Sequence, residues 1–144
     1  MTPPPHIIPA RKNAVLIIED DPWVAGYVGD VVEAFYGLSV LKAESAETAR
    51  KIFQGHDQSI AAIISDLSLH GIKGTSLVKE LIAGRPEIAV IFVTGHLEEE
   101  RDLSRAVGRE VSLVMKPFSP ADLKTALERR LSLAAQDFVY EKSR

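Results

Sequence analysis

The sequence predicts an α/β fold in which five parallel strands alternate with five helices. Short apolar runs rich in Ile and Val recur at Ala14–Ile18, Ile60–Ser65, Ile88–Val93 and Val111–Met115, and such lengths suit buried parallel strands. Segments with apolar residues at helical spacing separate them, which is the pattern of βαβ units. No internal repeat or second-domain linker divides the 144 residues, a length that suits one domain burying roughly 68–70% of its unfolded surface.

Residues 1–13 hold four of the eight prolines and read as an extended arm, onto which Ile7-Ile8 could dock. The domain proper is expected over residues 14–134. After the first strand, Asp21-Pro22 reads as an N-cap and first helical residue. Val24, Val28, Val31, Val32 and Phe35 follow on one helical face. Gly26 and Gly29 each weaken that helix by about 1 kcal/mol relative to Ala, so close packing is expected to require them. A short second strand is predicted over Leu38–Lys42 and a second helix over Ala46–Phe53, capped by Ser45. The strand ending at Asp66 leads into a loop, His70-Gly71-Ile72-Lys73-Gly74, and then a helix carrying Leu77, Val78, Leu81 and Ile82. Beyond Thr94, Glu98-Glu99-Glu100 places negative charge in the first turn of a fourth helix, where the helix dipole favours it. Ser119-Pro120-Ala121-Asp122 opens the last helix with a capping-box pattern, and Leu123, Leu127, Leu131 and Ala134 form its stripe. The tail 135–144 is expected to extend that helix and bury Phe138, Val139 and Tyr140 on the domain or in a dimer; a disordered tail is the alternative.

Composition narrows the function classes. Apolar content of 46% and charged content of 26% are those of a globular domain. Without cysteine there is no disulfide, thiolate metal site or cysteine nucleophile, and the cytoplasm is the natural compartment. A net charge of −3 gives no global attraction to nucleic acid. No apolar run approaches the ~18 residues of a membrane span, and the N-terminus lacks the features of a secretion signal.

The strand ends carry the chemistry. The first run meets Glu19-Asp20-Asp21, the next Asp66, the next Thr94, the last Lys116-Pro117. In parallel neighbours these residues share the edge at which open α/β sheets bind ligands. Two carboxylates about 5 Å apart repel by roughly 3 kcal/mol at an effective dielectric of 20, so a cluster of them calls for a cation. Oxygen donors without His or Cys suit Mg²⁺. Asp21 is better explained as a helix cap, which leaves Glu19 and Asp20 for the metal. Asp66, at the end of an apolar strand, can attack a phosphoryl group and form an acyl phosphate, with Mg²⁺ and the Lys116 ammonium opposing the charge. Thr94 can donate a hydrogen bond to a phosphoryl oxygen. A β-branched strand end and a solvated lysine would explain Thr94 and Lys116 equally well one at a time; their order along the chain favours the site.

That order resembles the receiver domain of two-component response regulators. The matching elements are Val15-Leu16-Ile17-Ile18-Glu19-Asp20-Asp21-Pro22, Asp66 with Gly74 eight residues later, Val93-Thr94-Gly95 and Lys116-Pro117-Phe118, at spacings of 46, 28 and 22 between Asp20, Asp66, Thr94 and Lys116. The resemblance implies a flavodoxin-like, doubly wound five-stranded parallel sheet, order 2-1-3-4-5, flanked by five helices. It implies that Asp66 is the phosphoacceptor, served by a sensor histidine kinase or a histidine phosphotransfer protein. Mg²⁺ would be held by Asp20 and Asp66 directly, by Glu19 through water and by the backbone carbonyl of Ser68. Thr94 and Lys116 would bind the phosphoryl group, and the Lys116–Pro117 bond would be cis. Ser68 and His96 flank the expected path of attacking water; exposed loop residues are the plain alternative. Two departures stand out. Receivers usually carry Tyr or Phe three residues before the lysine, here Leu113, and commonly proline where this chain has His70, read here as loop variation.

The sequence therefore points to a stand-alone phosphoacceptor switch or relay without its own output domain. It would not be an enzyme beyond Mg²⁺-dependent self-phosphorylation and slow autodephosphorylation. No recognition helix for DNA is visible, no membrane contact is expected, an unidentified downstream protein is implied and a homodimer is possible. Leu113 motivates the alternative, a phosphorylation-independent interaction module. An aspartate-nucleophile phosphohydrolase typically places a second acid two residues after the nucleophile, and position 68 is Ser. Dinucleotide binding lacks its glycine-rich turn after the first strand.

Overall fold

Every residue of the first strand, β1 (Ala14–Ile18), is buried, because helices cover both faces of the sheet to which it belongs. The structure, a computed structural model, describes residues 12–143, with side chains in the last helix described to Leu131. After β1 come α1 (Pro22–Tyr36), β2 (Ser39–Ala43), α2 (Ala46–His56) and β3 (Ile60–Asp66). A short hairpin, β4 (Ser68–Leu69) and β5 (Ile72–Lys73), precedes α3 (Gly74–Leu81). Then follow β6 (Ala89–Thr94), α4 (Glu100–Val107), β7 (Ser112–Met115) and α5 (Pro120–Ser143). The main sheet runs β2-β1-β3-β6-β7, parallel throughout. Counting its five strands alone, this is the expected order 2-1-3-4-5. The chain reverses direction across the sheet between β1 and β3, so the switch point that favours ligand binding lies at their C-terminal ends.

Side-chain alternation along β1 builds two cores. Leu16 and Ile18 pack with Phe53, Leu77, Val78, Phe92 and Leu103 under α2, α3 and α4. Val15 and Ile17 pack with Val28, Val32, Ile91, Leu123 and Leu127 under α1 and α5. The caps follow the sequence signals. Asp21 accepts from the Trp23 N–H at 2.9 Å, Ser45 from the Thr48 N–H at 3.1 Å, and Ser119 and Asp122 form a reciprocal box at 3.0 and 3.2 Å.

Several boundaries differ from expectation. The second strand sits one residue later, at Ser39–Ala43, and α2 continues to His56. The fourth helix starts only at Glu100, with Glu99 as its N-cap, so the acidic first turn consists of Glu100 and Asp102 and not Glu98. The segment after Asp66 is a hairpin rather than a plain loop. Gly29 is close-packed where expected: an added Cβ would lie 3.2 Å from Lys42 Cε and 3.4 Å from Val40 Cγ1, although the lysine end can shift aside. Gly26 is not, since nothing lies within 4 Å of such a Cβ. Most of the expected arm, residues 1–11, lies outside the described residues, but its last two positions are tied down. Lys12 pairs with Glu87 at 3.1 Å, and the Asn13 carbonyl accepts from the Ser39 N–H at 2.8 Å. Burial of Phe138, Val139 and Tyr140 lies outside the described side chains. Among the described residues, no helix is long and apolar enough to cross a membrane.

At the opposite end from the acidic strand ends, Glu87 gathers Arg85 at 2.8 Å and Lys12 at 3.1 Å, and Arg85 also holds the Asp57 carbonyl at 2.7 Å. Burial raises the Glu87 carboxyl, but its own backbone N–H, Arg85 and Lys12 outweigh burial and bring it down to about 2. A depressed carboxyl stabilises the fold above its unfolded value near 4.5 and ceases to do so as pH falls toward about 2. Because the side chain is one-third exposed, the full shift is discounted to about 1–2 kcal/mol. Urea titrations of Glu87→Gln should show a deficit of that size at pH 7, shrinking progressively below pH 4.5.

Candidate functional site

The site is assembled by strand register. β1 and β3 pair so that Ile18 faces Ser65, which brings the residues just beyond, Glu19-Asp20 and Asp66, to one level. β3 and β6 pair Asp66 with Val93, and β6 and β7 pair Thr94 with Met115, so Thr94 and Lys116 arrive at the same edge. The Lys116 N–H donates to the Thr94 carbonyl at 2.6 Å.

Carboxylate oxygens of Glu19, Asp20 and Asp66 lie within 4.8 Å of one another. Lys116 Nζ donates to Glu19 Oε1 at 3.2 Å and to Asp66 Oδ2 at 3.4 Å. The other Asp66 oxygen, Oδ1, accepts from the Ser68 N–H at 3.2 Å. Glu19 is almost fully enclosed, its side chain 4% exposed, whereas that of Asp66 is 14% exposed. Burial and then the Asp66 charge push the Glu19 carboxyl above its usual range, against the opposing pull of the Asp21 N–H and Lys116. The Lys116 ammonium is lowered by burial, but Glu19 and Asp66 outweigh that and raise it. Both shifts reflect a half-closed pocket in which Glu19 and Asp66 share one ammonium.

Thr94 is buried, and its Oγ1 accepts from the His96 N–H at 3.1 Å; the hydroxyl proton is left to donate. Asp21 caps α1, as its sequence context indicates, and its N–H donates to Glu19 Oε2 at 3.1 Å. The Lys116–Pro117 peptide is cis. Ser68 contributes its N–H to Asp66, and its side chain is exposed.

Three features of the site escape the sequence patterns. His70 Nε2 lies 3.3 Å from Asp20 Oδ2; a His-Gly pair between apolar Leu69 and Ile72 was the available hairpin signal. Tyr27 braces the segment after Lys116, its hydroxyl donating to the Phe118 carbonyl at 3.1 Å and its ring 5.5 Å from that of Phe118. Glu100 Oε1 accepts from the Leu113 N–H at 3.1 Å, a contact across 13 residues that no local pattern announces.

The family model for the response regulator receiver domain matches residues 15–128. The chain belongs to that family. Curated relatives of the receiver include the transcriptional regulatory protein CreB of Escherichia coli, 32% identical over 83% of this chain and 52% of that protein. The sensor kinase CckA of Brucella abortus is 28% identical over 81% of this chain and 12% of that protein. The chain thus spans about half or less of these relatives. Among solved structures, a CheY-like receiver domain protein from Methanospirillum hungatei superposes with a TM-score of 0.75, covering 87% of this chain and 98% of that one. At 24% identity that likeness speaks for the fold. The donor set of this receiver, carboxylates without thiolate, fits the Mg²⁺ that such domains typically bind.

Gly74 sets the backbone that carries Asp66. Its N–H donates to the Leu67 carbonyl at 2.7 Å, and an added Cβ would collide with the Asp66 carbonyl oxygen and lie 3.0 Å from Leu67 Cα. These are backbone atoms and cannot turn aside. Gly74→Ala is therefore expected to cost about 1–3 kcal/mol in thermal unfolding. Gly26→Ala, in the body of α1 with nothing within 4 Å of an added Cβ, should instead add about 0.5–1 kcal/mol.

Proposed function

We propose that the receiver accepts a phosphoryl group on Asp66 from a phosphohistidine, carried by a sensor histidine kinase or a histidine phosphotransfer protein, and works as a switch or relay. The observation that carries this reading is Lys116 Nζ held 3.2 Å from Glu19 and 3.4 Å from Asp66 in a pocket of three carboxylates. An Asp66 oxygen forms the new O–P bond while the donor's N–P bond breaks, and the departing imidazole keeps the electron pair. Asp20 and Asp66 would hold Mg²⁺ directly, with Glu19 through water and the Ser68 backbone carbonyl, and the ion would supply positive charge against the phosphoryl oxygens. Lys116 has its ammonium beside the attacking carboxylate, and Thr94 has a hydroxyl proton to donate. Chemistry of this kind is confined to the receiver's own aspartate: acyl phosphate formation, then slow hydrolysis.

The rim suits a protein donor. Trp23, Ile72, Leu97 and Met115 are exposed apolar side chains, on the segments around the C-terminal ends of β1, β3, β6 and β7, and so surround the acidic centre with docking area. Leu113 supports a second reading, a phosphorylation-independent interaction module. It is partly buried against the core cluster, where an aromatic ring that could move is usual.

Incubation with acetyl phosphate and Mg²⁺, then with a phosphorylated histidine donor, should add the mass of one phosphoryl group to the wild type and none to Asp66→Asn. An unmodified wild type under both donors would sink the first reading. Partner affinity that is the same for wild type, Asp66→Asn and the beryllofluoride-treated receiver would favour the second.

A further inference from the structure

His70 touches the cation pocket through a contact that phosphoryl transfer does not use. Its Nε2 lies 3.3 Å from Asp20 Oδ2, and Asp20 is one of the three clustered carboxylates. Backbone conformation puts it there. Ser68 pairs with Lys73 and Leu69 with Ile72 across the hairpin, leaving His70-Gly71 as a two-residue turn. Both have positive φ, 46° and 83°, as a type I′ turn requires. Proline, with φ fixed near −65°, could not occupy the first of these positions. The turn thus accounts for the absence of proline at this position and sets the imidazole beside Asp20.

We propose that His70 is a nitrogen donor to the divalent ion of this pocket, so that the site takes first-row transition ions such as Mn²⁺ on a mixed oxygen and nitrogen set. The inference rests on the acidic pocket being the receiver's cation site. Metal–ligand distances near 2.1 Å put two neighbouring donors on one ion about 3 Å apart, close to the His70–Asp20 separation of 3.3 Å. The three carboxylates alone form the mutually close set, so His70 joins from the rim through Asp20. Its side chain, 79% exposed, has room to turn onto an ion. Mg²⁺ takes oxygen donors and keeps several waters, whereas first-row transition ions accept imidazole beside oxygen donors, Mn²⁺ the most weakly of them. His70 thus discriminates between cations rather than adding equally to all of them.

Trp23, the only tryptophan, lies three residues beyond Asp20 and is the fluorophore to follow, with isothermal titration calorimetry beside it. His70→Gly keeps the turn, since glycine adopts positive φ freely, and removes the imidazole; His70→Asn, also tolerated there, controls for flexibility. Titrations of the full chain with MnCl₂ and MgCl₂ should show each variant losing about tenfold or more in Mn²⁺ affinity, with Mg²⁺ affinity changed less than about twofold. Electron spin-echo spectroscopy of bound Mn²⁺ should show a coordinated nitrogen in the wild type that both variants lack. Equal losses for both ions, tighter Mg²⁺ binding in the variants, or no nitrogen coupling in the wild type would overturn the proposal. Absence of any cation binding by the wild type would instead remove the underlying reading of the pocket, a result that Asp20→Asn and Asp66→Asn would then match.

Discussion

The pocket depends on one ammonium. Strands of a parallel sheet that stop at the same level deliver their terminal side chains to one place, and here that place receives Glu19, Asp20 and Asp66. Taking one partner away from a buried charge pair costs about 3–5 kcal/mol, and Glu19 is the buried member of this pair. Lys116 reaches it across 97 residues of sequence and reaches Asp66 across 50, so the contact forms only once the whole sheet is in order. Its N–H to the Thr94 carbonyl and the brace of Tyr27 on Phe118 hold the segment from which it projects. Even so, the Glu19 carboxyl remains raised, burial and Asp66 outweighing the ammonium. One lysine meets two of the three carboxylates, and the third, Asp20, stands beside them with His70 as its partner.

Much of this was legible in the sequence, because the signals were local. The buried strands read as unbroken Ile and Val runs, and Asp21-Pro22 and Ser119–Asp122 announced their caps through side chains acting on backbone within three residues. Gathering of the acidic and basic residues followed from parallel pairing alone. What was not legible depends on register or turn geometry. Gly26 and Gly29 look alike in sequence, yet only Gly29 lies against β2. The acidic run Glu98-Glu99-Glu100 offered three possible helix starts, and the backbone uses the last. His70 looked like variation in a loop because its relation to Asp20 arises from a hairpin of two residue pairs, too short to leave a periodic signal.

The edge strand shows how the fold closes its exposed side. β7 pairs on one side only, with β6, and a free edge is a template for unwanted strand pairing. Helix α4 closes it with side chains: Glu100 accepts from the Leu113 N–H at 3.1 Å, and Ser104 Oγ from the Val111 N–H at 3.3 Å. Glu100 thus serves its helix dipole and the neighbouring strand together.

These ties also bear on how chemistry at Asp66 could be felt elsewhere. The Thr94 hydroxyl accepts from the His96 N–H, and the loop that His96 begins ends at Glu99, the N-cap of α4. A hydroxyl drawn toward a phosphoryl oxygen would pull on that N–H, hence on the loop, and hence on the helix whose Glu100 holds Leu113. In receivers with an aromatic residue in place of Leu113, a ring can move into space vacated by the threonine. An aliphatic side chain already packed against the core has no such ring to move. What this receiver retains is a side-chain-to-backbone hydrogen bond at each end of that segment, Thr94 with His96 and Glu100 with Leu113, and it is through these and the covalent chain between them, rather than by rotation of a ring, that a change at the acidic pocket has a physical route to the surface formed by α4, β7 and α5.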